Sequence, residues 1–225
     1  MDVLALSRMY LPSMAFKRST HQVLSRDLNA EQIRELWSET RKKQSELQRD
    51  RPNYSVGLNL LMRYFEWDCA FYSAARAQGF PTQDVGKWIQ DIQWQIIGPG
   101  MRFSYALSRL RSKTQHVRVR WILDLMFTFL FTKPFQRAAV PPLKESDIAF
   151  DVTVCPIAQY FQDRGVPELT RYAACDLDYR MAQIWQVQLD RDQTLATGGN
   201  RCDFRFTALP PDSTRNEESA HRANA

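Results

Sequence analysis

The feature that most constrains this chain is a change of hydrophobic period. Up to about residue 131 the apolar residues recur every three or four positions, as on one face of a helix. From Ile148 onward they alternate, or come in short runs bounded by proline and glycine. A chain with that order of signals predicts an α+β fold: a helical N-terminal region followed by a β-α-α-β-β unit built on a small antiparallel sheet.

The helical part carries its own punctuation. Asn29 with Gln32 three residues on has the form of a capping box and opens a helix over 30–49. That helix is mostly polar, with Ile33, Leu36 and Trp37 as its apolar contacts. Ser55 opens a core helix with Leu58, Leu61, Met62, Phe65, Cys69 and Tyr72 at three-and-four spacing and an end near Gly79. Pro81-Thr82 starts a third, with Val85, Trp88, Ile89, Ile92 and Ile96 on one face, and "GPG" at 98–100 is expected to stop it. Further helices are expected over 101–111 and 117–132, although "HVRVRW" also reads as a strand.

The run "WILDLMFTFLF" spans eleven residues with Asp124 inside it, too short to cross a bilayer. A buried helix is the expectation, and a membrane-surface helix flanked by basic residues is the alternative.

After the connector "AAVPPLKES", "IAFDVTV" (148–154) alternates as a strand. "PIAQYFQDRG" (156–165) fits a short helix with Pro156 at its first position and Gly165 at its end. "PELTRYAACDLDYRMA" fits a second helix, also started by a proline. "IWQVQLDRDQTLA" and "RCDFRF" fit two antiparallel strands joined by a glycine turn. The organisation predicted is an extension (1–28), a helical region (29–140), the α+β unit (147–208) and a disordered tail (210–225).

Composition narrows the function classes. A 44% hydrophobic fraction in 225 residues supports a real core. The net charge of +5 permits an acidic small molecule or an anionic surface. No helix-turn-helix, zinc-finger or RNP-like motif accompanies it, so nucleic acid is not expected. The N-terminus "MDVLALSRMY" has Asp2 where an export signal carries positive charge, so a cytoplasmic, reducing setting with free thiols is expected. Cys69, Cys155, Cys175 and Cys202 include no CxxC pair, and His21, His116 and His221 have no neighbouring partners. A local zinc knuckle and a Ser-His-Asp triad both lack their parts.

Chemistry concentrates after residue 150. Cys155 lies where the strand gives way to the helix opened by Pro156, near the N-cap. The positive end of the helix dipole and free backbone N–H groups there favour thiolate. Cys175 and Asp178 are one turn apart on the second helix. A carboxylate beside a thiol raises the thiol's pKa, which makes Asp178 the base or the anchor of an amidine rather than Cys175 a thiolate. Cys202 is expected inward with Phe204 and Phe206, and Asp203 and Arg205 outward. Cys69 sits on the apolar stripe of its helix as a packing residue.

The segments "FDVTVCPIAQYF", "GVPEL", "CDLD" and "RDQTLATGGNRCDFRF" occur in an order that resembles the L-2-amino-thiazoline-4-carboxylic acid hydrolase family. Asp192 stands where the family often has threonine, and "YRMAQIWQVQLD" replaces a turn that often contains histidine. The resemblance implies hydrolytic opening of a cyclic amidine-like C=N to N-carbamoyl-cysteine, in specialised metabolism, on a small substrate bearing a carboxylate. It implies Cys155, Cys175 and Asp178 as the catalytic group, with Arg191 as partner of the substrate carboxylate and Cys202 and Asp203 lining the pocket. No metal or other cofactor is required by that chemistry. Two other readings stand beside it: a non-catalytic small-ligand domain, since the hairpin is also similar to domains of the 4-vinyl reductase type, and a metal site formed by Cys155, Cys175 and Cys202.

Overall fold

The computed structural model describes residues 3–48, 54–142, 144 and 147–209, with side chains from Met14 onward. The predicted tail at 210–225 lies outside the described residues. Five helices come first: α1 (Val3–Leu24), α2 (Ala30–Leu47), α3 (Val56–Ala77), α4 (Thr82–Leu107) and α5 (Gln115–Phe129). Strand β1 (Gln136–Ala139), strand β2 (Ile148–Val154), helix α6 (Pro156–Asp163), helix α7 (Asp176–Ile184) and strands β3 (Val187–Asp190) and β4 (Cys202–Ala208) follow. This is the α+β architecture expected, with β2-α6-α7-β3-β4 as its C-terminal unit.

The helix starts follow the local chemistry. Asn29 accepts from the backbone N–H groups of Glu31 and Gln32, and the Gln32 side chain accepts from Asn29 N–H, a complete capping box. Ser55 accepts from Leu58 N–H at 3.3 Å. Gly79 closes α3 at φ +88°. Gly57 marks a close crossing: a Cβ there would lie 1.5 Å from the Phe129 carbonyl oxygen at the end of α5.

Two expectations are corrected, for "GPG" and for the connector, and the strand alternative within the helix expected over 117–132 is set aside. "GPG" does not stop the third helix; α4 runs through Pro99 to Leu107. Pro99 and Gly100 are exposed, while Trp94, Met101 and Tyr105 on either side pack into a core, and that tertiary burial overrides the missing N–H. The ladder "HVRVRW" is helical, within α5. Arg118 within it is buried and donates to the Tyr105 carbonyl (2.8 Å) and Ser108 Oγ (3.0 Å), satisfying acceptors at the end of α4. The connector before residue 148 contains β1, which is exposed along its whole length.

All strand pairs are antiparallel, in the order β1-β2-β4-β3. The register pairs Ile148 with Phe206, Phe150 with Phe204 and Val152 with Cys202, so the inward face of β2 meets the inward face of β4. The rings of Phe150 and Phe204 stack with centroids 5.0 Å apart.

Two cores result, and they do not follow chain order. The first joins α1–α4 to α6 through Phe16, Leu36, Trp67, Phe71, Ile92 and Phe161. The second joins α5 and α7 to the sheet through Ile122, Phe150, Trp185 and Phe206. In α5, Val119, Ile122, Leu123 and Met126 are buried, whereas Leu125 and Phe129 face outward. Among the described residues no helix is long and apolar enough to cross a membrane.

Candidate functional site

Cys155, like Phe135, packs partly buried against both cores. It is the N-cap of α6, with extended backbone, and Pro156 follows at the first helical position. The backbone N–H groups of Ile157 and Ala158 interact with its sulfur and favour thiolate, as helix entry predicts. Burial outweighs them and pushes the thiol up to about 11, with Cys202 and Asp178 adding in the same direction. The resting group is therefore a thiol, not the thiolate that position alone leads one to expect.

The second helix is not uniform. A π-helical turn, Arg171–Cys175, precedes α7 and ends on Cys175. Just beyond it, Asp178 receives the guanidinium of Arg191: Nη1 to Oδ2 is 2.7 Å, while Nη2 donates to the Cys175 carbonyl at 2.9 Å. Arg191 follows the last residue of β3, and its side chain is 3% exposed against 22% for Asp178. The rings of Tyr179 and Phe204 flank its guanidinium at 5.2 and 5.1 Å. Its Nε is buried without a hydrogen-bond partner.

The electrostatic consequences are mutual. Burial raises the Asp178 carboxyl to about 6, and Arg191 pulls the other way without restoring the ordinary value. Burial first, then Asp178, holds the Cys175 thiol far above its usual range. Asp178 raises the thiols of Cys155, Cys175 and Cys202, and Arg191 lowers those of Cys175 and Cys202, so the fold gathers the five from four elements into one neighbourhood.

The remaining predicted residues hold the loop between β3 and β4. Cys202 is buried, and its sulfur accepts from Leu195 N–H at 3.3 Å. Asp203 was expected to point outward; it is buried, and its Oδ1 accepts from Gln193 N–H at 2.9 Å. A carboxylate that caps a loop N–H stays inside because the loop folds back over it. Gly198, at φ +87°, makes the return after a single 3₁₀ turn at Leu195–Thr197, so the connection is a folded loop rather than a tight hairpin. Arg205 does face the other side of the sheet, pairing with Asp151 at 2.8 Å.

A cleft of about 730 Å³ opens beside this cluster. Cys155, Leu195 and Gly199 line it together with Tyr54, Tyr160 and Arg164; Asp178, Cys175, Arg191 and Cys202 do not. The sequence reading missed Tyr54 and Arg164. The signal for Arg164 was the i,i+4 spacing from Tyr160 at the end of a helix that places Cys155 at its other end. The shared Cys155–Cys175–Cys202 metal site is not formed: among the described residues no group of three His, Cys, Asp or Glu side chains is placed to hold a metal ion.

The family model described as L-2-amino-thiazoline-4-carboxylic acid hydrolase matches residues 105–206. Over residues 105–206 the chain is similar to that family. The matched region takes in α5, strands β1 to β3, β4 as far as Phe206 and every residue of the cluster; α1 to α3 lie outside it. No curated protein matches the chain. Among solved structures the chain is similar to an H-NOX protein from Shewanella oneidensis in the Fe(II)NO ligation state, at 18% identity over 85% of this chain and 98% of that one, with a TM-score of 0.38. The Shewanella oneidensis SO2144 H-NOX domain in the Fe(II)CO ligation state gives 15% identity over 88% and 98%, with a TM-score of 0.43. Likenesses this remote have no bearing on the cluster.

Proposed function

We propose that the chain hydrolyses a small cyclic amidine-like heterocycle, with L-2-amino-thiazoline-4-carboxylate opened to N-carbamoyl-cysteine as the reaction its family suggests. The observation that carries this reading is the Arg191–Asp178 pair, within the family region and in electrostatic reach of Cys155.

The pKa values favour one assignment of parts. At pH 7 only about one Cys155 in 10,000 is thiolate at a pKa of about 11, whereas Asp178, at about 6, is mostly ionised. Asp178 is thus the proton acceptor. Moving the Cys155 proton to it spans about 5 units, roughly 7 kcal/mol, which fits within the ~16 kcal/mol barrier of a reaction at about 10 per second. Deprotonating free water, at about 15.7, would cost roughly 6 kcal/mol more. Cys155 is the easier nucleophile.

In the first step the Cys155 proton passes to Asp178, and the sulfur bonds to the ring carbon between nitrogen and sulfur. The ring C–S bond then breaks, and the departing thiolate takes a proton from cleft water, which the proton held on Asp178 behind the cleft wall makes good. In the second step water attacks the same carbon, giving one proton to Asp178. The Cys155 thiolate leaves and recovers that proton, and the carbonyl of the urea forms as the added hydroxyl passes its own proton to the amidine nitrogen, which stays on the carbon as a urea nitrogen. The N–H groups of Ile157 and Ala158 stabilise the sulfur when it carries charge. Arg191 keeps Asp178 ionised. The net change is addition of one water.

The test is thiol release from L-2-amino-thiazoline-4-carboxylate by the wild-type chain, Cys155→Ala and Asp178→Asn, each checked for folding by its melting temperature. Turnover lost in both variants supports the hydrolase. No turnover by the wild type, with a ligand-induced rise in melting temperature, supports the small-ligand domain instead.

A further inference from the structure

Both Nη groups of Arg191 are engaged by Asp178 and the Cys175 carbonyl, so the cation expected to receive a substrate carboxylate is already committed inside the protein. The cleft beside Cys155 offers another. Its walls carry one acid, Asp163, and one cation, Arg164. Asp163 is engaged by the Gln159 amide at 2.7 Å. Arg164 has no ion-pair partner among the described residues. Its guanidinium carbon lies 3.6 Å from the centre of the Tyr160 ring, and Nη1 donates to the Tyr160 carbonyl at 3.3 Å.

What remains of Arg164 is the edge formed by Nε and Nη2. Nε is buried without a hydrogen-bond partner, and no bond from Nη2 occurs among the described residues. That edge is the one that takes a carboxylate in a two-pronged bond. A buried donor without an acceptor is costly, which a ligand oxygen would relieve. Stacking on Tyr160 fixes the guanidinium plane, so little rotamer freedom remains to be lost on binding.

The spacing also fits. Cys155 and Arg164 cap the two ends of α6. Nine residues of helix rise about 13.5 Å, and stacking on Tyr160 returns the guanidinium by about one turn, or 5.4 Å. Roughly 8 Å is left along the axis, which brings Cys155 and the guanidinium within reach of one small ligand lying in the cleft that both line.

We infer that Arg164 is the anchor for the carboxylate of a small ligand whose ring is presented to Cys155, a role that rests on the hydrolase reading only for the identity of that ring. The residue determines specificity by charge and shape, and it takes no part in proton transfer.

Calorimetric titration of a Cys155→Ala chain with L-2-amino-thiazoline-4-carboxylate and with its 4-carboxamide tests this. The carboxylate is expected to bind about 10- to 100-fold more tightly, the range of a charge-assisted hydrogen bond. Adding Arg164→Gln is expected to erase that preference while carboxamide affinity stays unchanged, and Arg164→Lys is expected to restore only part of it. Equal affinities, absence of binding, or a preference that survives Arg164→Gln would overturn the assignment. If Arg164→Gln does not fold, the carboxylate preference in the Cys155→Ala chain and its reduction by Arg164→Lys decide the matter. A preserved carboxylate preference in a wild-type chain that turns over nothing removes the hydrolase reading and leaves the anchor. Turnover whose KM is unchanged by Arg164→Gln does the reverse.

Discussion

Replacing Arg191 with methionine removes the charge that opposes burial at Asp178 and keeps most of the packing. The two groups are 2.7 Å apart, with the arginine 3% and the acid 22% exposed. An opposite charge at this range lowers a carboxyl by about 1–3 units, so its loss moves Asp178 from about 6 to about 7–9. The sign follows: the base works ionised, so its acidic limb shifts to higher pH and turnover at pH 7 falls. Breaking a buried pair costs about 3–5 kcal/mol. The partial solvent access of Asp178 and its freedom to take a proton place this case near about 3 kcal/mol at pH 8, less below about pH 6 where the acid is already protonated. The assay is kcat/KM for thiol release from about pH 5 to 9, with urea denaturation of the same samples for stability. A folded Arg191→Met chain whose acidic limb stays at about 6 would refute the coupling.

Gly57→Ala drives a Cβ into the Phe129 carbonyl and is expected to lower stability by more than about 2 kcal/mol, read by urea denaturation; a change under about 0.5 kcal/mol would mean the α3–α5 crossing is looser than its geometry. Asp68 is fully buried in α3, and the Gln93 amide reaches its two oxygens at 2.8 and 2.7 Å. Burial holds this carboxyl well above its usual range, so Gln93→Ala, which removes the donor, is expected to cost about 1–3 kcal/mol in the same measurement. The folded Asp178 carboxyl titrates at about 6 against 3.8 in a model peptide, so its contribution to stability is fully present below about 3.8 and is lost as pH rises through about 6. Relative to Asp178→Asn, the wild type is therefore expected to lose at most about 3 kcal/mol between about pH 4 and 7 by urea denaturation, and a flat difference would contradict the raised pKa.

Much of the fold was legible because local and tertiary signals agree. The Asn29 capping box, the Ser55 cap and the alternation of Ile148, Phe150 and Val152 all specify the elements found. The misreadings fall where they conflict. Pro99 looks like a helix stop until the burial of Tyr105 beyond it is known, and β1 has no buried face to give it a period. The site was legible as residue types but not as partners. Sequence spacing put Cys175 beside Asp178, yet only the fold shows Arg191 held by that acid, Asp203 folded under its own loop, and Arg164 left with an open edge. Helix-entry chemistry pointed to a Cys155 thiolate, and burial, which a sequence does not display, reversed the balance.

The most direct test of a Cys155 nucleophile activated by Asp178 is intact-protein mass spectrometry on samples quenched in acid within the first turnover of L-2-amino-thiazoline-4-carboxylate. The account predicts a species heavier by one substrate, mapped to the peptide of Cys155 and missing from Cys155→Ala. Ring opening with Cys155 unmodified throughout, and continuing in Cys155→Ala, would contradict it.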